Sequence, residues 1–162
     1  MNSSQVSNSS DSPTRSPGER LVAEQAGSVM IETTLAYGVM VMFVLAIIEF
    51  SIMAYTYSAI AEATRQGVRY ATFHGTGSSN CSGPSTGCAD SSGSNVVSDV
   101  TQYASTFAGN ITGLSVDVSY PDGSSASASR VIVTAAYTYK PVFGFPGMAQ
   151  TFQVSSQGRI LY

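Results

Sequence analysis

A chain of 162 residues allows one modest domain, and only 10% of it is charged, well below the quarter usual in soluble proteins. The formal net charge is −3 and Lys140 is the sole lysine, so the clustered basic residues of a nucleic-acid surface are missing. This balance excludes a phosphate-backbone binder and fits a small exported protein better than a cytosolic enzyme.

Residues 1–27 are rich in Ser, Asn, Pro and Gly, with Arg15, Glu19, Arg20 and Glu24 as mixed charges. With almost no apolar face they cannot offset the entropy of ordering, which predicts a disordered leader. Next comes Gly27-Ser28-Val29-Met30-Ile31-Glu32-Thr33, and from Thr34 to Ile48 the chain is apolar with no other charge. A carboxylate at the mouth of such a run is expensive and calls for a reason. Thr33 to Ile48 is 16 residues, or about 24 Å of helix against a hydrocarbon core of about 30 Å. A full span counted from Thr33 must therefore reach about Tyr55 and take in Glu49. The ten Leu, Ile, Val and Phe residues in that stretch contribute about −3 to −6 kcal/mol, against roughly 2.5 to 3.5 for one acid near the centre. Insertion stays favourable, and Glu49 is expected to snorkel, to be protonated, or to pair with another subunit.

Helical character continues from Ser58 to Phe73, where Ala59, Ala61, Ala63 and Ala71 recur and Glu62 stands three residues before Arg65. A helix from Ser28 to Phe73 is about 68 Å long, so more than half of it projects beyond a bilayer as a stalk. Ala59-Ile60-Ala61 also fits a signal-peptidase pattern, but it lies too far past the apolar run, with Glu49 in between.

The Gly27 to Glu32 arrangement resembles the processing site of type IV prepilins. Ile47-Ile48-Glu49-Phe50-Ser51, followed by Ala63-Thr64-Arg65-Gln66-Gly67-Val68-Arg69-Tyr70-Ala71, is similar to the signature of TadE-like pseudopilins of the tight-adherence pilus system. The likeness covers about 45 residues; Thr33 stands where the family often has an aromatic, and Gln25-Ala26 where it often has arginines. The resemblance implies a prepilin peptidase cutting after Gly27, Ser28 as the new terminus and Glu32 as the fifth mature residue. It further implies Glu32 and Glu49 as subunit-docking acids, and Arg65, Gly67, Arg69 and Tyr70 as family signature. The partners would be other Tad pilins or pseudopilins, the inner-membrane assembly platform and membrane lipid. The location would be the bacterial inner membrane, single-pass, with an extracytoplasmic C-terminal head, and the pilus as a second destination. No catalysis, cofactor, metal or small-molecule substrate is implied. A signal-anchored extracytoplasmic protein with an unrelated binding role is the alternative; it explains the apolar run but neither Glu32 nor the Arg65 to Ala71 stretch.

From His74 to Asn95 the composition turns to Gly, Ser, Thr and Asn, marking a loop that holds the only cysteines, Cys81 and Cys88. Across an inner membrane the compartment is oxidising, which predicts a local disulfide contributing about 2.5 kcal/mol by chain entropy. A zinc site is the alternative, but with His74 it would find at most three protein ligands, at unsuitable spacing. Gly83-Pro84-Ser85-Thr86-Gly87 formally matches the nucleophile elbow of serine hydrolases. That chemistry needs a buried strand, a helix and a histidine base, whereas the flanks here are polar and turn-forming.

Val96, Val100, Tyr103, Ala104 and Phe107 fall at helical spacing, with Ser94 or Asn95 as cap and an end near Gly109. Leu114, Val116, Val118 and Tyr120 alternate with polar residues, Pro121-Asp122-Gly123 supplies a turn, and Arg130 to Tyr139 is a second β-prone run. A third strand is expected at Thr151 to Ser156, extending toward Tyr162. Tyr137, Tyr139, Tyr162, Phe143 and Phe145, beside Pro141 and Pro146, suggest an aromatic rim at one end of the sheet that closes a small core, with a dedicated ligand surface as the alternative. The predicted fold is α+β: leader 1–27, transmembrane and stalk helix 28–73, loop 74–95, and a head 96–162 with a short helix and a three-stranded antiparallel sheet.

Overall fold

A computed structural model describes residues 17–161 other than 110, 145, 146 and 148, with side chains described from residue 27 onward. Most of the expected leader, and Phe145, Pro146 and Tyr162 of the aromatic rim, lie outside the described residues. The elements run α1 (Pro17–Phe73), α2 (Ser94–Ala108), β1 (Ser115–Ser119), β2 (Arg130–Thr138) and β3 (Thr151–Arg159). The α+β class and all five elements agree with the sequence reading. One difference lies at the start, where the backbone is already helical from Pro17 and not first at Ser28. Proline in a first turn has its φ preset and no N–H to satisfy, and extending an existing helix needs no new nucleus.

The chain divides into two compact units, Met1–Val44 and Leu45–Tyr162. In the first, every described side chain from Gly27 to Val44 is exposed. Apolar residues occupy all faces of this stretch, and the helix is long and apolar enough to cross a membrane. Such a surface is unfavourable in water on every side, which fits a membrane anchor.

In the second unit, α1 acquires a buried stripe. Leu45, Glu49, Met53, Thr56, Ile60, Ala63, Gly67 and Ala71 recur at spacings of three and four and are partly or fully covered. Against its far end pack Val96, Val100 and Ala104 of α2, Val131 and Val133 of β2, and Ile160. Close approach depends on two glycines: a Cβ at Gly67 would overlap the Val100 side chain, and one at Gly158 would overlap Val68. The sheet is antiparallel in the order β1-β2-β3. Its register sets Val116 opposite Ala135, Val118 opposite Val133, Val131 opposite Gly158 and Tyr137 opposite Phe152, so one face gathers the apolar side chains. Strand alternation puts these residues on a single side. The C-terminal segment is tied back to the stalk, since the Leu161 N–H donates to the Thr72 carbonyl at 3.0 Å.

Candidate functional site

Glu49 is the residue whose surroundings the sequence reading did not foresee. Its side chain is fully buried. The Tyr139 hydroxyl donates to Oε1, the Val142 N–H donates to Oε1 at 3.0 Å, and the Phe143 N–H donates to Oε2 at 3.0 Å. All three donors come from the segment that follows β2, some 90 residues along the chain. A buried carboxylate is tolerable only when such donors replace its hydration. Snorkelling, protonation and pairing with another subunit are the sequence-based expectations for Glu49; the hydrogen-bond donors it meets in the structure are supplied by its own chain. Tyr139 is itself 3% exposed, and burial, with the adjacent carboxylate adding to it, pushes its hydroxyl up to about 12. Tyr139 closes the core as expected of the rim, with its ring 6.1 Å from Phe152, which in turn meets Tyr57 edge-on at 5.7 Å, whereas Phe143 of the same rim is exposed.

Gly27, Ser28 and Glu32 are exposed on α1, and nothing lies within 4 Å of a Cβ built at Gly27. Around Glu32 a shallow apolar surface is formed by Val29, Thr33, Ala36, Tyr37 and Met40. The signature residues separate into surface and core. Arg65 pairs with Glu62 at 3.2 Å and Arg69 is exposed, whereas Gly67 is buried beneath α2 and Tyr70 packs on the core with its ring stacked 4.0 Å from His74.

Residues 27–69 match the TadE-like protein family. The match begins at the glycine of the suspected cut site and ends inside the Arg65 to Ala71 signature. The match covers 43 of the 162 residues and points to a protein associated with the Tad pilus; the apolar helix that carries it fits a membrane anchor. No curated protein and no solved structure matches the chain.

Beyond the TadE-like segment, the loop after α1 is organised by one acid. Asp90 is buried and accepts hydrogen bonds from the Ser82 hydroxyl at 2.6 Å, the Asn95 N–H at 2.8 Å, and the N–H and hydroxyl of Ser94 at 3.0 Å each. Burial pushes its pKa up, yet these hydrogen bonds outweigh burial and hold the carboxyl well below the usual range. This corrects the expected cap of α2: the cap position is Gly93 with φ 79°, and neither the Ser94 nor the Asn95 side chain caps. The first-turn amides are satisfied from upstream, because the left-handed glycine turns the chain so that Asp90 lies under the helix end.

Cys81 and Cys88 form the disulfide, which takes both thiols away from the zinc alternative. Among the described residues no three His, Cys, Asp or Glu side chains group as a metal set. Ser85 Oγ accepts from the Ser125 N–H at 2.9 Å and the Ser125 hydroxyl at 2.8 Å, while His74 Nδ1 lies 2.8 Å from the Tyr70 carbonyl. Ser85 thus fastens the loop to the turn before β2, and His74 belongs to the end of α1.

Proposed function

We propose that this chain is a TadE-like minor pilin or pseudopilin, cut by a prepilin peptidase between Gly27 and Ser28 and used in assembling an adhesive Tad-type pilus. It is held in the bacterial inner membrane by α1 with the head extracytoplasmic, alongside other Tad pilins and the inner-membrane assembly platform. The observation that carries this reading is the change along α1. From Gly27 to Val44 the helix is exposed on all faces with Glu32 its single charge, and from Leu45 one face is buried in protein. From Gly27 to Ile48 there are 22 residues, about 33 Å of helix, enough to cross about 30 Å of hydrocarbon without Glu49.

Glu32 then has a role that Glu49 cannot share. Glu49 has its oxygens occupied by its own head, whereas Glu32 is exposed within an apolar surface. Among packed stalk helices an unpaired carboxylate is costly, and pairing with the positive terminus at Ser28, on its own or an adjacent subunit, offsets that cost and sets the axial register. Mass spectrometry of the protein from its native membrane tests the processing step. The wild-type chain should begin at Ser28, and Gly27→Leu should retain the leader and block pilus assembly. A wild-type chain beginning at Met1 or after Ala61 overturns the proposal.

A further inference from the structure

The loop that binds Glu49 carries an unexplained surface. Backbone N–H groups of Val142 and Phe143 are pinned to the Glu49 carboxylate, yet their side chains point outward, 66% and 46% exposed. The two hydrogen bonds to Glu49 fix the backbone beneath these two adjacent apolar side chains and leave the side chains in the open. The pin is applied at the turn where α1 leaves its all-apolar stretch, beside Ile47 and Ile48, which are themselves exposed. The sequence from Tyr139 to Gln150 contains no acidic residue and one cation, Lys140, which is exposed. Glu49, the acid nearest this tip along its hydrogen bonds, is sealed beneath it and presents no charge outward. Exposed apolar side chains beside a lysine, continuous with a spanning helix, have the composition of a membrane-interface contact.

We propose that the Val142–Phe143 tip is a membrane-interface anchor: it dips into the headgroup region of the bilayer next to the point where α1 emerges, with Lys140 toward the lipid phosphates. The occupant of this surface is the bilayer, and Glu49 is the positioning residue that sets the tip against the helix at that level. The anchor fixes how deep the head rides on the membrane before any filament forms. It rests on α1 being membrane-spanning, as in the function proposed above.

The chain contains no tryptophan, so a single introduced indole reports its own surroundings. The full chain is reconstituted at low protein-to-lipid ratio into phosphatidylcholine–phosphatidylglycerol vesicles carrying bromine at shallow or deep acyl positions, as Phe143→Trp, Phe43→Trp and Thr86→Trp variants. Phe43→Trp should be quenched best by deep bromines. Phe143→Trp should show blue-shifted emission and be quenched best by shallow bromines, matching burial about 5–10 Å into the interface. Thr86→Trp, in the exposed disulfide loop, should be unaffected. If Phe43→Trp is quenched while Phe143→Trp behaves like Thr86→Trp, the anchor is refuted and the spanning helix stands. If Phe143→Trp is insensitive to bromine but blue-shifts as protein-to-lipid ratio rises, a second copy covers the tip and the proposal is wrong. Absence of quenching at Phe43→Trp overturns the membrane reading, and the anchor with it.

Discussion

Replacing Asp90 by alanine removes the acceptor on which the loop and the start of α2 both depend. Two costs arise. The Ser82 side chain is fully buried and its hydroxyl loses its partner at 2.6 Å, about 1–3 kcal/mol for an unsatisfied buried group. The first-turn amides of Ser94 and Asn95 lose their cap, about 1 kcal/mol, because both residues are exposed and water can take the place of the carboxylate. Together these destabilise the head by about 2–4 kcal/mol, a large part of the 5–15 typical of a domain. Hydrogen exchange of the full chain in detergent micelles, read by mass spectrometry over residues 94–104, should accelerate about 25- to 700-fold. The pH dependence follows the sign of the shift. An unfolded aspartate titrates near 3.9, and the folded value lies below it, so the native state binds fewer protons. The contribution of Asp90 is therefore whole above about pH 5 and fades as pH falls through the folded value. Asp122, held down to about 2 chiefly by the hydrogen bond from Arg130, fades in the same window. The diagnostic quantity is thus the gap between wild type and Asp90→Ala, which should narrow as acid is added. Exchange within about twofold of wild type at neutral pH would show that Asp90 does not hold the cap.

Gly67→Val should destabilise the packing of α2 on α1 by about 1–3 kcal/mol, because its Cβ meets Val100; pairing it with Val100→Ala should recover part of the loss, and additivity of the two in denaturant unfolding would show that they do not touch. Glu49→Gln keeps the shape but leaves one oxygen for three donors. The amides of Val142 and Phe143 should exchange faster while those of α2 stay protected, and unchanged exchange in the loop would remove Glu49 from its positioning role.

Much of the chain was legible because its signals are local. The uncharged run through Ile48, the alternation at Val116 and Val118, the Pro121-Asp122-Gly123 turn and the paired cysteines each report on near neighbours. The α+β class and the TadE-like resemblance followed from them, and residues 27–69 match that family. Composition predicts a disordered leader through Gly27, whereas the described backbone is helical from Pro17, the start set by a preset proline turn and cheap propagation. The cap of α2 was misassigned because nearest-residue logic chose Ser94 or Asn95, whereas a left-handed turn at Gly93 brings the more distant Asp90 beneath the helix. Gly67 was visible as part of a signature, but only packing reveals that its missing Cβ makes room for Val100.

Glu49 marks the division most clearly. Sequence alone determines that an acid ends the apolar run, since charge and hydropathy are properties of the residues themselves. Whether that acid sits in lipid, meets another subunit or serves its own head depends on donors at Tyr139, Val142 and Phe143, some 90 residues away. Only closing the hairpin of β2 and β3 beside α1 brings them within hydrogen-bond reach, because a carboxylate leaves water only where the fold supplies replacements for its hydration.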